Sequence, residues 1–382
     1  MSVNNKLKVK NGASFSKNEE LAVQELYDQI YQPDAEVVIF FCSSNYDLDK
    51  LGKALKTRFL CPLIGCTTSG EINSSGYHEG SLVGASLAAS ELKVHPRYIF
   101  PLSKFSMTGA EAMAASLRKE LQLSSDFNSD MMFGVFLVDG LSMLEERVIS
   151  FIYSQFSGVP IIGGSAGDDI KFKSTEVYWD GHFVSDAAVF TIFETTLPFY
   201  TFKTQHFQPT GGKLVITEAD PANRRVIEID GEPAARKYAE ILGLKIDKLT
   251  PMVFSNHPLM LKIGGEYYVR SIQKVNEDES LSFFCAIDNG LVLSVAEGIG
   301  LVENLENQLL EVKKRIPNLK FILGCDCILR QLEIKEKKLI DNVCQIIKDY
   351  PLIGFSTYGE QYNAVHVNQT LTGVAIGDGE AE

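Results

Sequence analysis

No stretch of the sequence approaches the roughly twenty apolar residues that a membrane-spanning helix needs. The first ten residues, Met1 to Lys10, are polar and basic and lack the apolar core of a secretory leader. Positive charge is scarce: 36 Lys and Arg face 49 Asp and Glu, a formal net charge of −13. That balance argues against a nucleic-acid surface, which requires a basic stripe. The nearest candidate, Lys335-Glu336-Lys337-Lys338, is broken by Glu and reads as the solvated side of a helix. The seven cysteines are odd in number and include no Cys-x-x-Cys pair. Cys325-Asp326-Cys327 is a poor metal site, because alternate residues of one strand are not joined by further ligands at metal spacing. Cys42 and Cys325 end equivalent apolar runs and are expected as buried, reduced thiols of a cytoplasmic protein. Also missing are a Gly-x-Ser-x-Gly elbow and a Walker phosphate loop. Thr67, Thr68 and Ser69 stand beside Glu71, but the loop Ile72-Asn73-Ser74-Ser75-Gly76 follows instead of a helix, so the reading is not an enzyme.

What the chain does have is one phrase spoken repeatedly. Pro62-Leu63-Ile64-Gly65-Cys66-Thr67-Thr68-Ser69-Gly70-Glu71 returns as Pro351-Leu352-Ile353-Gly354-Phe355-Ser356-Thr357-Tyr358-Gly359-Glu360. A looser copy is Pro160-Ile161-Ile162-Gly163-Gly164-Ser165-Ala166-Gly167-Asp168. Each is an apolar run suited to a buried strand, then glycine, expected to free a turn, then small hydroxyls and a carboxylate. An apolar strand and a helical stretch precede every copy. Strand, helix, strand recurring three times is the signature of parallel pairing. Turns at strand ends that present hydroxyls and amides are where open α/β sheets bind ligands.

Taken in order, the pattern predicts two α/β domains with mixed sheets and an internal repeat. The boundary falls between Gly211-Gly212 and Asp230-Gly231, giving domains at 35–225 and 226–376. Thr108 to Glu111 reads as a capping box, Met252 to Ser255 as a short strand, and Gln331 to Lys348 as one long helix. The acidic end, Asp378 to Glu382, is expected to be disordered.

Several of these residues resemble a known family. Ile64 to Ile72 and Gly163 to Asp168 look like signatures of the FIST N-terminal domain. Asp230-Gly231-Glu232-Pro233-Ala234, Gly354 to Glu360 and His366-Val367-Asn368-Gln369-Thr370 look like those of the FIST C-terminal domain. The resemblance spans about 35 to 376. It implies a sensory ligand-binding module of signal transduction, acting on a separate partner because the chain leaves no room for an output domain. Similar stand-alone proteins bind haem b, sense nitric oxide and regulate a histidine kinase or a cyclic di-guanylate synthase or hydrolase. A homodimer is compatible with this reading.

For haem, His206 is the best iron ligand by position, sharing a strand face with Tyr200, Phe202 and Thr204 before Pro209 turns the chain. The alternative is a haem-free sensor of a small metabolite, such as an amino acid, held between the two domains. That reading uses Thr67, Thr68, Ser69, Glu71, Ser165, Asp168, Ser356, Tyr358 and Glu360 of the repeated turns, together with His366 and Asn368.

Overall fold

The computed structural model describes residues 7–123 and 127–378. It is a mixed α/β structure of two domains, and its sheets follow one plan three times. Each of three six-stranded sheets begins with an edge strand, continues through an antiparallel strand and two parallel strands, and ends on a two-stranded hairpin. In the first, Lys8–Ser14 and Leu82–Ala88 lead into the parallel pair Val37–Ser43 and Leu63–Thr68. In the second, Leu92–Ile99 and Ala188–Thr195 lead into Met132–Val138 and Ile161–Ser165. In the third, Phe199–Gln205 and Thr370–Gly377 lead into Leu319–Cys327 and Leu352–Thr357.

The central strands are buried along their whole length in the first two sheets and from Phe321 onward in the third, as their apolar runs predict. Period two divides their side chains between two layers. Phe41, Cys66, Leu137, Ile162, Cys325 and Phe355 point into one core shared by all three sheets. Phe41 and Phe355, from opposite halves of the chain, stack there with ring centroids 4.3 Å apart. The opposite faces are roofed by helices. Glu19–Ile30 and Leu48–Arg58 cover Phe40, Met107–Glu120 and Glu145–Gln155 cover Phe136, and Leu301–Arg315 and Ile340–Ile347 cover Ile322.

The repeated glycine does not make a turn, as expected from sequence, but lies inside each second parallel strand. A Cβ at Gly65, Gly163 or Gly354 would stand 2.5, 1.9 or 2.1 Å from the carbonyl oxygen of Phe40, Phe136 or Gly324 on the adjoining strand. Close strand approach, not backbone curvature, requires the residue.

Each unit hands its hairpin to another. Glu71–Asn73, which pairs with Gly76–His78, adds to Leu352–Thr357 of the third unit. Glu360–Tyr362, paired with Val365–Val367, adds to Ile161–Ser165 of the second. Val177–Trp179, paired with His182–Val184, adds to Leu63–Thr68 of the first. The exchange closes in a ring. Ser69 N donates to Ser356 O at 3.0 Å, Tyr358 N to Ser165 O at 3.3 Å, and Gly167 N to Thr67 O at 3.0 Å.

Between the third unit's edge strand and its parallel pair lies a further sheet, running from Phe207–Asp220 to Val292–Gly298. It enters and leaves at one point, where Phe207 pairs with Gly298 and Ile299 N donates to His206 O at 2.7 Å. Three local expectations need correction. The stretch 252–255 belongs to helix Pro251–Asn256, because the Thr250 hydroxyl caps it and Pro251 starts it. The long C-terminal helix is two, Ile328–Glu336 and Ile340–Ile347, separated at Lys338 in a left-handed conformation. The cap of Met107–Glu120 is Ser106, not Thr108. Of the acidic end, residues 379–382 lie outside the described residues.

The exchange predicts that neither half folds alone. Residues 1–232 expressed without the rest would expose a hairpin and a strand edge that have lost their partners. Size-exclusion chromatography should show aggregates, and co-expression with 233–382 should restore a soluble complex. A monomeric fragment with a cooperative melt would refute this.

Candidate ligand site

The carboxylates that end the repeated phrase act as clasps. Glu71 accepts from Thr68 Oγ1 at 2.5 Å and from the amide and hydroxyl of Ser81 at 3.0 and 2.6 Å. Glu360 repeats this with the Thr357 hydroxyl and with the Thr370 amide and hydroxyl at 3.2 and 2.8 Å. In the second unit the role passes to Asp139, which accepts from Leu141 N at 2.9 Å and Asp186 N at 2.6 Å. Glu71 and Glu360 are wholly buried with both oxygens engaged, so the structure assigns them to holding the exchanged hairpins instead of contacting a ligand. Burial pushes their carboxyls up, to about 7 for Glu71 and about 8 for Glu360.

The other hydroxyls fall around the ring. Thr68 belongs to the first clasp, and Thr67 accepts from Glu176 N at 3.0 Å. Ser165 and Ser356 are buried with hydroxyls that have no partner. Asp168 organises the loop that follows it, accepting from the amides of Phe172, Lys173 and Ser174 at 3.0, 2.7 and 3.1 Å and from the Tyr358 hydroxyl. Ser69 accepts from Asp169 N at 3.2 Å.

Each exchanged hairpin lies beside the helix of the unit it joins, which creates three related crevices with different contents. The first is filled: Gly181 O presses on Gly52, and Tyr178 and Phe183 pack around Phe40. In the second, Tyr77 donates to Asp326, and so does Arg330 Nε at 2.8 Å. The third joins hairpin Glu360–Val367 to helix Glu145–Gln155 and is roofed by the inserted sheet. Across it Arg224 Nη1 donates to Glu145 Oε1 at 3.1 Å, Arg270 Nη1 to Glu146 Oε1 at 2.8 Å, and Ser271 N to Asn368 Oδ1 at 3.4 Å.

His366 stands in this third crevice. Burial depresses its imidazole to about 3, so the ring is neutral. Gln361 Nε2 lies 2.7 Å from Nδ1; with the amide donating, the proton sits on Nε2, a tautomer assigned from this contact. That leaves His366 Nε2–H, Asn368 Nδ2 and Arg270 Nε as donors without partners and Gln361 Oε1 as an acceptor without one, while Glu145 Oε2 is held 3.0 Å from Arg224 Nη2 in an ion pair. Four unpartnered polar atoms of both senses therefore lie buried along this crevice. His366 and Asn368 were legible in the sequence. Glu145, Arg224, Arg270 and Gln361 were not, although an arginine inside the strand-like run Tyr267 to Gln273 was a signal.

The residues around His206 do not fit a haem. Its Nε2 is 2.9 Å from Glu333 Oε2, whose other carboxylate oxygen Lys337 Nζ holds at 2.6 Å, and its Nδ1 is unpartnered but buried with no room beside it for a macrocycle. The ring is buried against Phe207, with centroids 4.2 Å apart. Phe202 fills the space over Gly373, where a Cβ would lie 2.7 Å from it. Tyr200 carries the Arg315 guanidinium 5.2 Å over its ring, and Pro209 is paired with Ala296. This is a packed, charged surrounding in place of the apolar slot a macrocycle needs. Among the described residues no group of three or more His, Cys, Asp or Glu is disposed to hold a metal ion. Cys325 and Cys327 are buried, and burial pushes both thiols well up.

The clasps carry a pH signature. A carboxyl raised in the folded state binds a proton that the unfolded chain has released, so stability falls as pH rises from about 4.5 toward 7–8. Glu360→Gln keeps the amide hydrogen-bonding shape without a charge. It should melt higher than the parent at pH 8, and the difference should vanish near pH 4.5. Equal melting temperatures at both pH values would show that Glu360 has no raised pKa.

Comparison with known proteins agrees with this architecture. An uncharacterized protein of Methanocaldococcus jannaschii is 26% identical over 383 residues, an alignment that covers 88% of this chain and 73% of the relative. Residues 36–232 match the FIST N domain and residues 234–363 the FIST C domain. No described helix is long and apolar enough to cross a membrane. With both domains present, one after the other, the chain belongs to the FIST family of sensory, ligand-binding signalling proteins.

Proposed function

We propose that this protein senses a small zwitterionic metabolite, an α-amino acid, in the crevice between hairpin Glu360–Val367, helix Glu145–Gln155 and the inserted sheet. The observation that carries this is the set of buried polar atoms of both senses around His366. A buried polar atom without a partner costs about 1–3 kcal/mol, so a ligand that satisfies several is favoured strongly. Arg270 Nε, Asn368 Nδ2 and His366 Nε2–H are donors suited to a carboxylate. Gln361 Oε1 is an acceptor suited to an ammonium, and the Glu145 carboxylate, though paired with Arg224, adds negative charge 3.9 Å from His366 Nε2. A haem-based gas sensor is not carried forward, because the side chains packed around His206 leave no apolar slot for a macrocycle.

The ligand would touch the inserted sheet and both family domains at once. Binding would favour the arrangement in which Arg224 and Arg270 close on Glu145 and Glu146, and that shift is the signal. Thermal-shift measurements with the individual protein amino acids should find one or a few that raise the melting temperature by several degrees at saturation. Asn368→Ala and Gln361→Ala should abolish the shift while still melting cooperatively. If no amino acid stabilises the protein, the proposal fails.

The family resemblance further supports an output carried by a separate chain, a histidine kinase or a cyclic di-guanylate synthase or hydrolase. Reconstitution with such a candidate should show an autophosphorylation or turnover rate that changes on adding this protein and changes again with the stabilising amino acid. Identical rates in all three mixtures would rule out that partner.

A further inference from the structure

Next to the second of the three crevices, just past hairpin Glu71–His78, lies a cleft of about 280 Å³ that Glu79 and Gly80 help to line. Asn45, Ser69, Asp169, Ile170, Ile328 and Gln331 line it, so all three units contribute. Gln331 is only 1% exposed, yet neither its amide nitrogen nor its amide oxygen has a partner. Ser356 Oγ is likewise buried and unpaired. Gly70 stands next to both. A Cβ built there would lie 3.2 Å from Gln331 Nε2 and 3.5 Å from Ser356 Oγ, and φ at Gly70 is +130°. Only glycine leaves this side of the amide uncovered, since a Cβ would crowd it and stand 3.2 Å from His78 O as well.

From this we infer that the cleft is a second site, separate from the amino-acid crevice, for a small uncharged ligand with an adjacent hydrogen-bond donor and acceptor: a carboxamide, a lactam or a purine edge. A carboxylate only accepts and would satisfy Nε2 while leaving Oε1 bare. An ammonium only donates and would do the reverse. A ligand that presents both groups side by side satisfies the whole amide in one plane. The walls suit such a ring, since Ile170, Ile328 and Leu332 are apolar. The rim supplies no net field, because Lys171 pairs with Asp169 at 3.4 Å and Lys335 with Glu79 at 2.6 Å.

A second feature points to the same place. Ile170 has φ +61°, a left-handed conformation that is costly for a β-branched residue. Asp169 and Phe172 are left-handed too, at +58° and +50°. Asp168 holds the loop in this shape through three backbone amides, and Lys171 Nζ fastens it across the cleft to Asn45 Oδ1 at 2.7 Å. Strain kept at this expense holds Ile170 in the wall of the cleft.

Calorimetric titration of the full chain tests the assignment with nicotinamide, adenine and, as the matched carboxylate, nicotinate. Nicotinamide or adenine should bind at one site per chain, with nicotinate at least about tenfold weaker because it leaves Oε1 unpaired. Gln331→Met, similar in volume, and Ser356→Ala should each weaken binding of the amide probe, and melting curves without ligand will show that both variants fold. Asn368→Ala should leave it unchanged, which separates this site from the amino-acid crevice. The inference is overturned if neither amide probe binds, if nicotinate binds as tightly, or if Gln331→Met makes no difference.

Discussion

The backbone hydrogen bonds that pass each hairpin to the next unit are the constraint on which everything else rests. Three short strands contribute few side chains to the core, and a two-stranded hairpin is marginal alone. Each becomes stable only as the continuation of a sheet begun elsewhere in the chain. Because the third unit's hairpin returns to the second and the second's to the first, no unit completes its sheet alone. The common core follows from this closure: Phe41 meets Phe355 only when the first and third units are locked together. The clasps follow as well, since Glu71 and Glu360 lie where the donating strand leaves its own unit.

Closure also explains why polar groups can be sunk so deep. A repeat that packs against two copies of itself has three equivalent seams, and apolar side chains need fill only those that must be inert. One seam here is sealed by aromatic rings. The other two keep guanidinium, carboxamide, hydroxyl and imidazole groups under the surface, where the low polarity of the surroundings strengthens each hydrogen bond and raises the cost of each missing one. The inserted sheet deepens one seam further by covering it with Arg224 and Arg270.

Much of this was legible in the residues. Three copies of one phrase announced three equivalent strands, and the unbroken apolar runs announced that both their faces are covered. The exchange was not legible, because hairpin strands of three residues carry no pattern that says which remote edge they join. The repeated glycine was misread for a related reason: its partner is a carbonyl on another strand, and proximity between strands is invisible in one dimension. Met252 to Ser255 looked like a strand because Met, Val and Phe favour either state, and the Thr-Pro start decided for helix. His366 and Asn368 could be chosen as polar residues in a strand-like run, while Glu145 and Arg224, 79 positions apart by number, come together only in the fold. His206 had the aromatic neighbours a haem ligand would want, but Glu333, which occupies its ring nitrogen, is supplied by a helix far along the chain.

The inserted sheet departs and returns through a single stem, Phe207 beside Gly298. A segment with adjoining ends behaves toward its host as one long loop, and the entropy of closing a loop grows only with the logarithm of its length. Evolution could therefore lengthen, shorten or replace this segment with little disturbance to the threefold body. Members of such a lineage would differ most in the roof over one seam, and so in the molecule each admits.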